Sequence, residues 1–126
     1  MSEIVERVVS TGRKVTVTST LTNPSYTVKT SVVRIGDLVS GVIAFAQVGY
    51  TPIETGAWIK IGTISELPLV AESGSESNAE TPRFPIVAAN NGQFAGMAKI
   101  DANGDIVIFL TTGTYNLQFI VAYKAK

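Results

Sequence analysis

Alternation of apolar and polar residues runs through most of the chain and predicts strands. The pattern is clearest near the C-terminus, where Leu117, Phe119 and Val121 fall on one side of a strand and polar or smaller residues fall between them. A period of two residues is typical of a half-buried β-strand. The segments predicted as strands are 14–20, 26–35, 38–48, 57–61, 84–89, 93–100, 105–110 and 115–123.

Glycine-containing turns separate these segments. Asn91-Gly92 and Asn103-Gly104 each lie between two alternating runs, and Asn-Gly is the strongest short hairpin signal, here read as a type I′ turn at 101–104. The strands of the second half recur about every ten residues, which is the spacing of a sandwich or a barrel. The pattern therefore predicts one all-β, antiparallel domain over residues 1–126.

Two segments depart from this pattern. The N-terminal segment 1–25 is less regular: Ile4, Val5, Val8 and Val9 have the spacing of one helix face, yet valine also suits a strand, so both readings stay open. Residues 71–81 contain three glutamates, no basic residue and nothing apolar larger than alanine. Such a segment cannot bury apolar surface, and we expect an acidic, flexible loop there.

Composition narrows the range of functions. The chain has 126 residues, 10 basic and 10 acidic, and a formal net charge of zero, which is not typical of proteins that bind nucleic acid or acidic membranes. Cysteine and histidine are both absent, which excludes disulfides, thiol nucleophiles and the commonest general base and metal ligand. No apolar run approaches the length of a membrane span, and Glu3 and Glu6 interrupt any signal-peptide core. We expect synthesis in a cytoplasm without an export signal.

Acidic residues are the remaining candidates for chemistry. The sequence 101–105 starts like a calcium loop, but its glycine is fourth rather than sixth and Thr112 stands where a glutamate is needed, so a turn accounts for it without metal. Glu72, Glu76 and Glu80 lie in the predicted loop, which opposes cation binding because gathering them costs conformational entropy. No spacing pairs two carboxylates for acid–base catalysis. The sequence predicts no enzyme, no metal and no cofactor.

Trp58 is the strongest candidate for a contact residue. It is the only tryptophan, and it alternates with Ile59 and Ile61, so it points away from the predicted core. An exposed indole can anchor a subunit contact or stack on a sugar ring, although a strand covered on both faces would bury it without any such role. Tyr50 and Tyr123 are weaker candidates for the same contacts with a partner or a saccharide.

Five motifs in a fixed order resemble the small β-domains of phage tail fibre and baseplate proteins. They are RIGDLVSG at 34–41, IGTISELP at 61–68, RFP at 83–85, the hairpin IDANGDIVI at 100–108 and the closing FIVAY at 119–123. The resemblance covers about residues 30–126. It implies a jelly-roll-like β-sandwich of the kind found in receptor-binding and adhesion modules of siphophages that infect Gram-positive bacteria.

The resemblance also implies a function and its partners. Domains of this kind are commonly trimers, and some bind cell-wall saccharides between subunits. We therefore expect a non-enzymatic structural or adhesion component of a phage tail tip or baseplate, made in the host cytoplasm and located in the virion. Its partners would be other tail proteins, further copies of itself or a host cell-wall saccharide. A free saccharide-binding module of lectin type is the alternative.

Overall fold

The computed structural model describes residues 12–21, 26–47, 54–69, 81–89, 91–113 and 116–126. The segment around Ile4–Val9, Tyr50 and all but the last residue of the predicted loop 71–81 lie outside the described residues.

The described residues form strands, turns and bends, and none of them is helical. The predicted all-β, antiparallel fold is confirmed. The strands are β1 (Arg13–Lys14), β2 (Val17–Ser19), β3 (Tyr26–Ile35), β4 (Leu38–Gln47), β5 (Trp58–Ile64), β6 (Arg83–Ala88), β7 (Phe94–Ile100), β8 (Asp105–Leu110) and β9 (Leu117–Lys124).

All nine strands belong to one sheet, in the order β1-β3-β4-β9-β6-β7-β8-β5-β2. Every pairing is antiparallel. The sheet curls around a single apolar core, which is consistent with a sandwich-like arrangement. The jelly-roll expectation is not confirmed, because the described strands do not separate into two sheets.

The two edges of the sheet meet at residues 13–19. β1 pairs with β3 and β2 pairs with β5, although only two residues separate β1 from β2. At the crossing point Val15 N–H donates to Val32 O at 3.0 Å, and Ser65 N–H donates to Thr16 O at 2.9 Å. The segment 14–20, predicted as one strand, is therefore two short strands on opposite edges.

The core is built from the inward positions of the long strands. Along β9 every second residue is buried and the residues between them are exposed, as the alternation predicts. The largest fully buried side chains are Phe45, Phe119, Ile43, Ile61, Ile86, Ile100, Ile106, Ile108, Leu110, Leu117, Val15 and Val32.

A β-bulge shapes β5. The register against β8 shifts between Lys60 and Gly62, which leaves Ile61 as the extra residue. Residues three positions apart face opposite sides of a regular strand. The bulge lets Ile61 and Ile64 both be buried while Trp58 stays on the outward face.

The hairpin at 101–105 forms as predicted, but its turn is of another type. Gly104 N–H donates to Asp101 O at 2.9 Å, which closes a four-residue turn. Of its residues only Gly104 has positive φ (+88°). A type I′ turn needs positive φ at both central residues, so this is a type I turn followed by a glycine bulge.

We expect the substitution Gly41→Ala to destabilise the fold strongly. Gly41 lies on β4, paired with strands on both sides, and a Cβ there would meet Ser31 O at 1.9 Å and Val32 Cα at 2.6 Å. Neither backbone atom can move away cheaply, so the cost should be about 3 kcal/mol or more. Gly36 is the matched control: its φ is +59° but nothing lies within 4 Å of the added carbon, so Gly36→Ala should cost only about 1 kcal/mol.

Urea unfolding of both variants measures the difference. Equal losses would show that β3 is not held against Gly41 in the way described.

Candidate functional site

The outward face of the sheet carries most of the exposed apolar surface. Eight large apolar side chains are exposed among the described residues, and all but Leu69 occupy outward positions of the sheet. The seven are Val33, Ile35, Leu38, Val42, Trp58, Phe94 and Ile120. A sheet face that meets only water is normally polar at these positions. Large exposed apolar patches mark contact surfaces.

Six of the outward residues form one row across the sheet, which we call the outer belt. Its members are Val42 (β4), Ile120 (β9), Pro85 (β6), Met97 (β7), Phe109 (β8) and Trp58 (β5). Val42 pairs with Ile120, and the series Pro85, Met97, Phe109 and Trp58 is joined by direct cross-strand pairing. With neighbouring strands about 4.8 Å apart, the belt is roughly 24 Å long.

A shallow groove lies in the middle of the outer belt. Its volume is about 180 Å³, and Pro85, Val87, Gln118, Phe119 and Ile120 line it. The groove brings Pro85 and Ile120 together, so the two halves of the belt are continuous. Ile120 is the most exposed of the large apolar side chains, at 66%.

Trp58 stands at the β5 end of the outer belt and is 40% exposed, in agreement with its predicted outward orientation. Its ring centroid lies 5.5 Å from that of Phe109, with an interplanar angle of 57°. Two cations approach the indole: Lys99 Nζ lies 4.5 Å from the ring centroid and Arg83 Cζ lies 5.8 Å from it. These distances are within the range of cation–π interactions.

Of the other two predicted contact residues, the structure describes Tyr123, which does not share a site with Trp58. Tyr50 lies outside the described residues. Tyr123 is only 6% exposed, and its hydroxyl donates to Glu66 O at 2.6 Å. Its ring therefore belongs to the core and offers no surface to a partner. The sequence already placed Tyr123 on the same side of β9 as Leu117, Phe119 and Val121, all of which are buried.

The structure also contains a polar cluster, which we call the Glu66 cluster. Its members are Glu66, Arg13, Arg34 and Tyr123. Arg34 Nη1 lies 2.9 Å from Glu66 Oε1, and Arg13 bonds the same oxygen. Arg34 also donates from Nε to Gly36 O at 2.8 Å. The cluster joins β1, β3, the segment after β5 and β9.

The surroundings of Glu66 shift two pKa values in opposite directions. Partial burial alone would raise the pKa of Glu66, but hydrogen bonds from Arg34 and Arg13 and their positive charges outweigh burial and hold it below its usual range. Burial raises the pKa of the Tyr123 hydroxyl, and the negative charge of Glu66 raises it further.

Residue spacing could not reveal the Glu66 cluster, because its members come from distant parts of the chain. Three of them nevertheless belong to the motifs quoted above: Arg34 to the first, Glu66 to the second and Tyr123 to the last. The other two motifs also lie close by, since Phe84 and Tyr123 have ring centroids 6.5 Å apart and Ile64 N–H donates to Gly104 O at 2.8 Å. In this structure the motif residues hold the fold together.

The acidic residues of the turn at 101–105 have partners of their own within the protein. Lys60 Nζ lies 3.1 Å from Asp105 Oδ1, and Asn103 Nδ2 donates to Asp105 Oδ2 at 3.2 Å. The part of the chain that the structure describes contains no group of three or more side chains suited to holding a metal ion. Glu72, Glu76 and Glu80 lie outside it.

No helix in the described ranges combines the length and the apolar character that a membrane span requires.

In comparisons with known proteins, no family model, no curated protein and no solved structure matches the chain.

We expect acid to weaken the fold through Glu66. A carboxyl whose pKa is lower in the folded state than in the unfolded chain stabilises the fold above its unfolded pKa, about 4.3, and this stabilisation is lost as the pH falls through the folded value. In Glu66→Gln, unfolding free energy should decrease less between pH 6 and pH 3 than in the wild type, because the titrating group is gone. Denaturant midpoints measured across this range test the expectation, and parallel curves for the two proteins would contradict it.

We expect Tyr123→Phe to make the free energy of unfolding less dependent on pH in alkaline solution. Because the pKa of Tyr123 is raised in the folded state, its stabilising contribution is complete below about pH 10 and is lost as the pH rises further. At pH 7 the substitution should cost about 1 kcal/mol through loss of the hydrogen bond to Glu66 O. Above pH 10 the difference between the variant and the wild type should shrink, as thermal unfolding in alkaline buffers can show. If the difference in stability between the variant and the wild type stays constant above pH 10, ionisation of Tyr123 does not affect the stability of the fold.

Proposed function

We propose that this protein is a non-catalytic assembly and adhesion component of a bacteriophage tail tip or baseplate. The observation that carries the proposal is the outward apolar face, with the outer belt at its centre. A rigid, curled sheet that presents one continuous apolar row is suited to binding by shape and apolar contact. The proposal also draws on the resemblance of the five motifs, and it assigns the protein to the virion after synthesis in the host cytoplasm.

The charged groups of the described residues support a role without catalysis. Three of the described carboxylates face cations: Glu66 faces Arg13 and Arg34, Asp105 faces Lys60 and Asp101 faces Lys99. An acid–base pair needs two titratable groups directed at a shared cleft. The groove within the outer belt is lined by apolar residues and Gln118.

Self-association is the form of assembly that the outward face favours. Val33, Ile35 and Leu38 lie at the β3–β4 side of the sheet, while Trp58 lies at the β5 side. A closed ring of subunits joins two different patches of each copy, and an apolar face that extends over several strands can supply both patches of a cyclic oligomer such as a trimer. The formal net charge of zero means that copies do not repel one another strongly.

Saccharide binding is the second candidate, and the exposure of Trp58 favours it. A partly exposed indole offers a flat apolar surface on which a sugar ring can stack. Titration with bacterial cell-wall saccharides, monitored by the fluorescence of Trp58, would detect such binding.

We expect truncation of the outer belt to weaken association without unfolding the domain. Trp58→Ala should cost about 2 kcal/mol of association free energy, a roughly 30-fold change in the dissociation constant, because large aromatic anchors dominate interfaces. Ile120→Ala should act in the same direction. Leu69→Ala is the matched control, because Leu69 is 49% exposed but belongs to none of the nine strands and is not part of the outer belt. Sedimentation velocity over a concentration series measures association for all four proteins.

Several results would contradict the proposal. A wild-type protein that stays monomeric at high micromolar concentration and binds no saccharide would remove both self-association and adhesion. Loss of association in Leu69→Ala equal to that in Ile120→Ala would show that the outer belt has no special role. Unfolding of Trp58→Ala would show that the indole is needed for the fold itself.

A further inference from the structure

Lys99 is buried in an unusual place. It occupies an outward position of β7, yet its side chain is only 9% exposed. In the register of the sheet Lys99 faces Val107, which in turn faces Lys60 on β5. Trp58 lies two residues before Lys60, on the same outward side. The indole reaches across β8 to lie 4.5 Å from Lys99 Nζ.

The burial of this ammonium group requires compensation. A buried cation is unfavourable unless opposite charge or an electron-rich group faces it. Asp101 Oδ1 is 3.9 Å from Nζ, which is too long for a hydrogen bond. Within the described residues, the indole is a second group beside the ammonium that can compensate its charge, whereas Arg83, which also approaches the ring, is itself a cation. The face of an indole attracts a cation through its quadrupole.

We propose that Lys99 is the positioning residue of Trp58, whose indole it holds in place as a pre-ordered anchor for the partner. The attraction acts on both groups, so the indole that covers the ammonium is itself restrained by it. Phe109 supports the indole from the strand between them. This proposal rests on the proposed function and deepens it, because it names what orders the anchor before the partner binds.

An ordered anchor binds more tightly than a mobile one. A side chain that is already fixed in its bound orientation loses less conformational freedom on binding. Loss of Lys99 should therefore weaken association even though Lys99 itself is covered and has little surface to offer a partner. Loss of one cation–π contact corresponds to about a 5-fold change in the dissociation constant.

The chain has one tryptophan, so its fluorescence reports Trp58 alone. We expect Lys99→Met, which keeps the aliphatic length and removes the charge, to raise acrylamide quenching about 2-fold and to increase fast depolarisation of the indole. Lys99→Arg should restore wild-type values, because the guanidinium is also a cation. Lys124→Met is the matched control, since Lys124 is an exposed lysine on β9. Association of each variant is measured by sedimentation velocity.

A reciprocal measurement keeps the test independent of how well the Lys99 variants fold. Acetylation of lysine amines by a water-soluble ester, followed by mass spectrometry, should modify Lys99 slowly in the wild type. Trp58→Ala should accelerate modification of Lys99 at least several-fold, while Trp58→Phe should do so less. Lys60, whose side chain is 47% exposed, is the internal reference for the reagent.

The outcomes separate this proposal from the proposed function. Unchanged quenching and depolarisation in Lys99→Met, or unchanged acetylation of Lys99 in Trp58→Ala, would overturn the positioning role. Changed fluorescence in a protein that never associates would sustain the positioning role and overturn the proposed assembly. Failure of Lys99→Arg to restore the fluorescence would show that packing, and not charge, orders the indole, and would also overturn the proposal.

Discussion

Seven residues at the start of the described chain hold the two edges of the sheet together. β1 and β2 are too short to be stable by themselves, yet they pair with β3 on one side and β5 on the other, with two residues between them. The backbone must therefore bring both edges within reach of Val15 and Thr16. The curl of the sheet, the single core and the outward direction of the belt all follow from this closure. A flat sheet with the same strands would leave its edge groups unpaired.

The Glu66 cluster reinforces this closure with charge. Arg13 comes from β1 and Arg34 from β3, and both meet a carboxylate that follows β5. Tyr123 adds β9 to the same point through its hydrogen bond to the Glu66 carbonyl. The cluster thus fixes one end of the curled sheet, while the apolar core fills its interior. The electrostatic contacts of the Glu66 cluster and the apolar contacts of the core therefore stabilise the same curled form of the sheet.

Local pattern is a good guide to this fold because each long strand alternates clearly. The boundaries of β3, β4, β8 and β9 agree with the predicted segments within about two residues. The split of segment 14–20 could not be foreseen, because alternation shows which residues face inward but not which strand they pair with. The bulge in β5 is hidden for a related reason: Ile61 and Ile64 are both buried only after the register shifts.

The candidate site is harder to predict than the strands. Lys99 has the outward orientation that the alternation predicts, but its burial depends on a tryptophan 41 positions away in the sequence. The outer belt could not be predicted from local sequence pattern either, because its six members lie on six different strands.

The position of β9 has a consequence for how the protein is made. Of the nine described strands, β9 is the last to leave the ribosome, yet it lies in the sheet between β4 and β6. Until it is available, the hairpin of β3 and β4 has no partner on that side, and the meander of β6, β7 and β8 cannot join it. The complete sheet can therefore form only after β9 has emerged, and distant pairings of this kind form slowly. A nascent chain carries two unpaired strand edges until β9 emerges, so chaperone contact during translation is where its folding is most exposed to failure.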